Sequence, residues 1–275
     1  MIKEWQNMIW IMFSESLFRH SIDKETKMPD HSILRKLQSF DCFQKLSPLE
    51  LATIASHTEL MHVNHGRTLF KEGTAIDAVY LILYGSFKIQ QKTRSEEAVV
   101  FYFLSRGDFL GIAMAGLSNA LYPASALANE ESAVLKLPLR FYNDRFLQHP
   151  SLREIVSRQI SDRFFEFQND RCMTKALTPQ KLADLLLRTL DRQPKEHGHR
   201  IHIPLTRHDM ARKIGSQAET VIRFISEWTK NGWIRTENKH IEIINRAKLE
   251  EVLNEKCSRR SSRTTSIYSA ATRRS

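Results

Sequence analysis

Short apolar segments with a two-residue period, separated by glycines, extend from about residue 60 to residue 138. The alternation is clearest over residues 79–83, 87–89 and 99–103. A two-residue period places apolar side chains on one face of a strand, and glycine accommodates the tight turns between strands. The punctuating glycines are Gly66, Gly73, Gly85, Gly107 and Gly111. This pattern predicts a β-barrel or sandwich of short strands, most simply an antiparallel roll.

Helical patterns lie on both sides of this region. Residues 31–56 predict two helices, the second beginning at Ser47 as N-cap with Pro48 in its first turn. Another helix begins near Thr178, again with an N-cap residue followed by proline.

The sequence predicts a long helix that begins at Pro150 and continues without a helix-breaking residue to about Ala176. Its apolar residues recur at spacings of three and four and form one stripe: Leu152, Val156, Ile160, Phe164 and Phe167. A single apolar stripe on a long helix needs a partner. The partner is the helix's own domain, a second copy of the helix, or both, and we favour dimerisation.

Residues 206–225 have the spacing of a helix-turn-helix. Thr206 and Asp209 resemble a capping box, and Gly215 suits the left-handed turn between two short helices. Ala211 allows close crossing of the helices, and Val221 fills their core. An ordinary helical hairpin is the alternative to this interpretation.

Polar groups suited to base edges lie on the opposite face of the second helix. Arg pairs with guanine and Glu with cytosine in the major groove. The residues of this face are Gln217, Glu219, Thr220 and Arg223. Two short strands around a polar turn at 236–239 then predict the wing of a winged helix.

The net charge of +10 is concentrated towards the C-terminal end. Residues 256–275 hold six basic residues and no acidic residue. This Ser-, Thr- and Arg-rich segment predicts a disordered basic tail that suits a polyanionic partner. A merely solubilising tail is the alternative.

Composition and motif content exclude several protein classes. Cys42, Cys172 and Cys257 are far apart, which indicates a reducing cytoplasm and no disulfide framework or cysteine metal site. No apolar run reaches membrane-spanning length, and the segment 1–30 lacks the pattern of a signal peptide. No catalytic constellation, phosphate loop or metal-spaced cluster is evident, so we expect neither an enzyme nor a metal site.

Taken in order, these features resemble the Crp/Fnr (catabolite activator and fumarate–nitrate regulator) family. The resemblance lies in residues 69–73 (LFKEG), 80–89 (YLILYGSFKI), 107–111 (GDFLG) and the helix-turn-helix. It covers about residues 31–250. It implies an α+β fold with an eight-stranded, cyclic-nucleotide-binding-like β-roll (jelly roll), a long dimerisation helix and a C-terminal winged helix-turn-helix.

The resemblance divides the chain into five parts: an N-terminal extension (1–30), a β-roll sensor domain (31–148), a dimerisation helix (149–177), a DNA-binding domain (178–255) and the basic tail (256–275). It also implies a homodimer through residues 149–177 that binds double-stranded DNA at a two-fold symmetric site. RNA polymerase is a further expected partner, and the expected location is the cytoplasm, away from membranes.

The family's base-reading Glu and Arg match Glu219 and Arg223. Ala218 stands where the family often has Arg, and Ile222 stands where it often has Gly or Ser, so we expect a different target and an apolar contact to a thymine methyl. The full predicted DNA-binding set is Thr206, Arg207, Gln217, Ala218, Glu219, Thr220, Ile222, Arg223 and Lys239.

The predicted sensor pocket departs from the cyclic-nucleotide pattern. Ile112 replaces the Glu that binds ribose, and Tyr122 and Pro123 replace the Arg-Ser pair that holds the cyclic phosphate. A phosphate needs a cation or several donors, and Pro123 removes even a backbone N–H. The possible effector pocket comprises Gly107, Asp108, Gly111, Ile112, Ala113, Tyr122, Pro123, Phe167 and Gln168.

We therefore expect no cofactor and no conventional cyclic AMP binding, without excluding it. An apolar ligand and a pocket packed shut are the open alternatives. Haem would need axial ligands, for which His57, His62 and His65 are the candidates beside an ordinary surface or core role. The competing function is a small-ligand-binding regulatory module without sequence-specific DNA binding.

Overall fold

The computed structural model describes residues 31–94, 97–193 and 198–255. The chain divides into two compact units, with the boundary between Asn169 and Asp170. The predicted extension 1–30 and the predicted basic tail 256–275 lie outside the described residues.

Two short helices precede the strands. They are α1 (His31–Gln38) and α2 (Pro48–Ser56), separated by a 3₁₀ turn at Asp41–Phe43. The Ser47 hydroxyl accepts a hydrogen bond from the Glu50 N–H at 3.3 Å, and the Glu50 carboxylate accepts one from the Ser47 N–H at 2.7 Å. This reciprocal capping box confirms the predicted start of α2.

The strands of the first unit form two antiparallel four-stranded sheets. Their order is β1-β8-β3-β6 in one sheet and β2-β7-β4-β5 in the other. The strands are β1 (Glu59–Val63), β2 (Thr68–Phe70), β3 (Ala78–Tyr84), β4 (Ser86–Lys92), β5 (Ala98–Ser105), β6 (Phe109–Leu110), β7 (Ser125–Ala128) and β8 (Ser132–Pro138). The predicted antiparallel roll is confirmed.

Strand β3 is buried on both of its faces. Val79 and Leu81 join the cluster formed with α1, α2 and the later helices. Tyr80 and Ile82 point the other way, into the cluster shared by the two sheets. A strand covered on both faces has no solvent side, which explains its almost continuously apolar sequence.

Helix α3 (Leu139–Asp144) leads, through a 3₁₀ turn at Phe146–Gln148, to the long helix α4 (Pro150–Cys172). Leu152 and Val156 at its start are buried against the helical side of the roll. The helix ends at Cys172, before the predicted Ala176, because the chain tightens into a 3₁₀ turn at Met173–Lys175.

The second unit contains the remaining elements: α5 (Thr178–Arg192), β9 (Arg200–Ile201), α6 (Arg207–Ile214), α7 (Ala218–Lys230), β10 (Ile234–Glu237), β11 (His240–Ile243) and α8 (Arg246–Asn254). The three strands form one antiparallel sheet of order β10-β11-β9. Helix α8 packs against α5. The predicted α+β class, with a β-roll, a long helix and a winged helix-turn-helix, is confirmed.

The start of α5 differs from the prediction. Thr178 is the first helical residue, and Leu177 occupies the N-cap position. The Leu177 N–H donates to the Gln180 side-chain oxygen at 3.0 Å. The capping hydrogen bond is therefore supplied from inside the helix by Gln180, so the hydroxyl of Thr178 is not needed for it.

Substitution of Gly85 by alanine tests the closest backbone approach in the roll. A Cβ at Gly85 would lie 2.2 Å from Ser132 Oγ and 2.8 Å from the Glu131 carbonyl oxygen, on a backbone with φ of +77°. Gly66 has φ of +74° but no atom within 4 Å of its Cβ position. Both substitutions incur the left-handed penalty, and Gly85→Ala should destabilise the roll by about 2 kcal/mol more than Gly66→Ala. Urea denaturation followed by circular dichroism measures the difference, and equal losses would refute the steric account.

Candidate nucleic-acid interface and sensor pocket

The turn of the helix-turn-helix has the predicted geometry. Gly215 adopts φ of 64° and ψ of 49°, the left-handed conformation that ends α6. The N–H groups of Gly215 and Ser216 both donate to the Ala211 carbonyl. Thr206 caps the start of α6 by accepting from the Asp209 N–H at 3.0 Å. A non-glycine residue at 215 would be strained here, because L-residues rarely adopt this conformation.

Helix α7 has one buried face and one exposed face. Val221, Ile225 and Trp228 are buried in the core of the second unit. Glu219, Ile222, Arg223 and Ser226 share the opposite, exposed face. Since positions three and four apart are neighbours on a helix, these four side chains form one continuous surface.

The predicted base-reading residues differ in exposure. Gln217, Glu219, Ile222 and Arg223 are exposed, whereas Ala218 and Thr220 are half-buried at the sides of the helix. The Arg223 guanidinium lies over the Phe224 ring, with its carbon 5.1 Å from the ring centre. This contact restrains the arginine while leaving its donors accessible.

The predicted phosphate contacts surround α7. Thr206 donates its hydroxyl proton to the Asp209 carboxylate at 2.7 Å, so the hydroxyl is occupied by the cap. Arg207, the first residue of α6, is half-buried, and burial lowers the pKa of its guanidinium from the usual value. The start of α6 therefore offers a helix N-terminus together with an arginine.

The tip of the wing is a tight turn at Asn238 and Lys239, both with positive φ. The Lys239 carbonyl accepts from the Leu205 N–H at 2.9 Å, which ties the wing to the residue before the α6 cap. The Lys239 side chain is exposed. The wing thus places one cation beside the start of the helix-turn-helix.

A partly buried ion cluster connects the end of α4 to α5 and α6 within the second unit. Lys213 of α6, with a side chain only 2% exposed, donates to Asp170 at 2.7 Å. Arg188 of α5 donates to the other Asp170 oxygen at 3.0 Å and also to Asp184. Neighbouring carboxylates outweigh burial and raise the pKa of Arg188. Sequence reasoning missed this cluster, because charge pairs between distant segments leave no periodic pattern.

Tyr122 fills the interior of the roll at the position of the predicted effector pocket. Its side chain is 2% exposed and stacks on Phe70, with ring centres 4.0 Å apart. Its hydroxyl donates to the Ala78 carbonyl at 2.7 Å. Burial raises the pKa of this phenol well above its usual range. Gly111 lies directly against the ring, since an added Cβ there would be 3.1 Å from it.

The other predicted pocket residues point elsewhere. Ile112 is buried among the helices on the outer side of β3. Ala113, Pro123, Phe167 and Gln168 are exposed. The structure therefore brings Gly111 and Tyr122 together and does not join the rest to them.

Gly107 and Asp108 belong to a contact between the β5–β6 loop and α4. Gln159 donates to the Gly107 carbonyl at 2.9 Å and accepts from the Phe109 N–H at 2.8 Å. Arg163 donates to the Phe109 carbonyl at 2.6 Å and lies 3.8 Å from Asp108. The loop is thus fixed to the middle of the long helix.

The histidines and Cys42 have ordinary structural surroundings. His57 stacks on Phe141 with ring centres 4.5 Å apart, and His62 contacts the Tyr84 hydroxyl at 3.0 Å. Burial raises the pKa of the Cys42 thiol to about 11. Within the described ranges no cluster of His, Cys, Asp or Glu has metal-binding geometry. Nor does that part of the chain contain a helix with the length and apolarity for crossing a bilayer.

Comparison with known proteins agrees with this architecture. Residues 60–149 match the cyclic nucleotide-binding domain family, and residues 180–252 match the Crp-like helix-turn-helix domain family. The chain belongs to the Crp/Fnr family of DNA-binding transcription regulators.

Curated Crp/Fnr relatives align along nearly their whole length. The fumarate and nitrate reduction regulatory protein of Escherichia coli (strain K12) is 25% identical over 246 residues, covering 82% of this chain and 96% of the relative. The Salmonella typhi protein of the same name is 26% identical, covering 79% and 94%. The solved structure of FixK2 from Bradyrhizobium japonicum has a TM-score of 0.62 at 15% identity, covering 72% of this chain and 98% of that one.

Family membership fixes the class of function. The Crp/Fnr family comprises transcription regulators rather than enzymes, as the sequence predicted. The helix-turn-helix makes DNA the partner of the second unit.

Substitution of Asp170 tests whether the ion cluster stabilises the DNA-binding unit. Asp170→Asn removes a negative charge beside the buried Lys213 ammonium, so the unit should lose about 1–3 kcal/mol. Asp162→Asn, an exposed acid on the same helix, should change stability by less than about 0.5 kcal/mol. Denaturation followed by tryptophan fluorescence, to which Trp228 and Trp233 contribute, compares the two. Equal midpoints would refute a stabilising role.

Proposed function

We propose that this regulator acts as a homodimer on a two-fold symmetric DNA site and requires no cyclic nucleotide. The observation that carries the DNA part is the exposed face of α7, on which Glu219 and Arg223 stand clear of the core. Glu accepts from the cytosine amino group, and Arg donates to guanine. The start of α6 and Lys239 on the wing supply phosphate contacts on either side, which position the helix without specifying sequence.

Dimerisation is supported by the uncovered stripe on α4. Ile160, Phe164 and Phe167 are 40%, 59% and 44% exposed. Their spacings of four and three residues are those of the two seam positions in a coiled coil. The neighbouring Phe165 is 72% exposed. Exposing this much aromatic surface is unfavourable in water, and a second copy of the same helix would cover it.

A closed sensor is supported by the packing around Tyr122. The stacked Phe70 and the hydrogen bond to the Ala78 carbonyl hold the phenol ring inside the roll. Tyr122 and Pro123 stand where the resemblance implies the Arg-Ser pair that holds a cyclic phosphate, and neither of these two side chains is a cation. An anion would have to displace a buried aromatic ring and would gain no ion pair there in return. The proposal includes action without a bound cofactor, in the cytoplasm and with RNA polymerase as a further partner.

Selection of bound duplexes from a random pool by the purified full chain tests the DNA function. We expect an enriched palindrome with half-site centres about one helical turn, roughly 34 Å, apart. The affinity should be the same with and without cyclic AMP. Arg223→Ala should cost about 1–3 kcal/mol at one base step. Arg212→Ala removes the same charge from the exposed surface of α6 and, as the control, should leave the preferred sequence unchanged. No enrichment in either condition would favour a ligand-binding module without sequence-specific DNA binding.

Charged substitutions on the α4 stripe test dimerisation. Phe164→Asp combined with Ile160→Asp would place two carboxylates in the proposed seam, so the protein should sediment as a monomer. Arg158→Asp, on the opposite side of α4, should leave the dimer intact. Sedimentation equilibrium measures the mass, and dimers persisting in the double variant would refute this interface.

A further inference from the structure

We propose that Ile222 reads the 5-methyl group of a pyrimidine, in normal DNA a thymine, within each half-site. This inference rests on the proposed DNA function and deepens it by assigning one base of the target. It starts from an apolar side chain that the fold leaves uncovered on the surface of α7.

Ile222 departs from the burial pattern of its own helix. Val221, Ile225 and Trp228 are at most 2% exposed, whereas Ile222 is 45% exposed. A β-branched residue also has lower helix propensity than alanine or a straight-chain residue. Ile222 therefore contributes little to the stability of this unit.

The neighbours of Ile222 place it among the base-reading groups. Glu219 lies one turn before it and Ser226 one turn after it, and Arg223 follows it in the chain. These residues share the exposed face of α7. With Glu219 and Arg223 at base edges, Ile222 on the same exposed face also lies in the major groove, beside them.

Within the major groove, one group on the base edges is apolar: the 5-methyl of thymine. The other positions there are donors and acceptors on guanine, cytosine and adenine. Isoleucine cannot hydrogen-bond, so it would desolvate those groups without replacing their lost water. Beside a thymine, by contrast, it removes methyl and side-chain surface from water. The contact favours a 5-methylpyrimidine over every other base.

The neighbours also fix where this base lies. Because Ile222 is on the same turn as Arg223 and one turn from Glu219, its base pair lies next to the pairs that these residues read. A two-fold symmetric site contains it twice. Ala218 and Thr220, both half-buried, are the other side chains near this face of α7 with a methyl that could reach a base, and Thr220 differs from serine only by that methyl. It provides the matched control.

The test uses the full chain and the duplex selected in the preceding experiment. Each thymine is replaced in turn by deoxyuridine, which removes the 5-methyl group and keeps the pairing. For the unmodified protein we expect one position per half-site where this weakens binding about fourfold, and about 15-fold when both half-sites are changed. Restoring the methyl by placing 5-methylcytosine, paired with guanine, at that position should bind more tightly than cytosine there.

Variants assign the effect to the side chain. Ile222→Ser should abolish the deoxyuridine penalty at that position, and Ile222→Val should retain most of it. Thr220→Ser, which removes the threonine methyl, should leave the penalty unchanged. Circular dichroism should show all three folded, since Ile222 is exposed and Thr220→Ser removes a single methyl group.

The outcomes separate the two proposals. A pool that yields no preferred duplex overturns the proposed function together with this inference. A preferred duplex whose half-site lacks a thymine, or that binds equally well throughout the deoxyuridine series, overturns the role of Ile222 alone. A penalty that persists in Ile222→Ser also overturns the role of Ile222, and its disappearance in Thr220→Ser would assign the methyl contact to Thr220.

Discussion

The covering of apolar side chains is the constraint on which the rest of this structure depends. Strand β3 satisfies it twice, with Val79 and Leu81 against the helices and Ile82 inside the roll. Within the roll, Tyr122 and Phe70 fill the space by stacking. Two sets of apolar side chains stay uncovered: the stripe of Ile160, Phe164 and Phe167 on α4, and Ile222 on α7. We assign the stripe to a second copy of the chain and the isoleucine to DNA.

Paired charges, in contrast to the uncovered apolar side chains, lie where segments distant in sequence meet within the second unit. The almost fully buried Lys213 forms an ion pair with Asp170, and Arg188 forms a second ion pair with the same carboxylate. Removing charges from water costs desolvation free energy, and only well-oriented ion pairs and hydrogen bonds offset that cost. The cluster holds α6 through the Lys213 side chain. The left-handed Gly215 ends the helix, and the Lys239 carbonyl accepts a hydrogen bond from Leu205, the residue before the Thr206 cap. Helix α7 follows α6 directly, so these contacts of α6 also position the exposed face of α7.

The parts of the fold with local patterns could be predicted from the sequence, and the parts made by distant contacts could not. The capping box at Ser47 and the left-handed Gly215 were predictable from residue types at fixed spacings. The two-residue strand β9 and helix α8 were missed, because the first is too short to show a period and the second begins only three residues after β11. The pair of Asp170 and Lys213 joins residues 43 apart and has no local signature. For the sensor, the sequence has Tyr122 and Pro123 where the resemblance implies an Arg-Ser pair, but the burial of the Tyr122 ring and its stacking on Phe70 could be seen only in the structure.

The packing of Tyr122 has a consequence for how such a regulator would be controlled. In the proposed cyclic-nucleotide-independent regulator, the buried Tyr122 ring stands where a metabolite would otherwise set activity, so occupancy of DNA would follow the amount of protein in the cell. For a dimer formed from monomers, the concentration of the binding species rises with the square of monomer concentration when dimers are scarce. Small changes in synthesis or degradation would then be amplified at the promoter. Control of DNA binding would then depend on protein concentration through dimerisation, instead of on the concentration of a bound nucleotide.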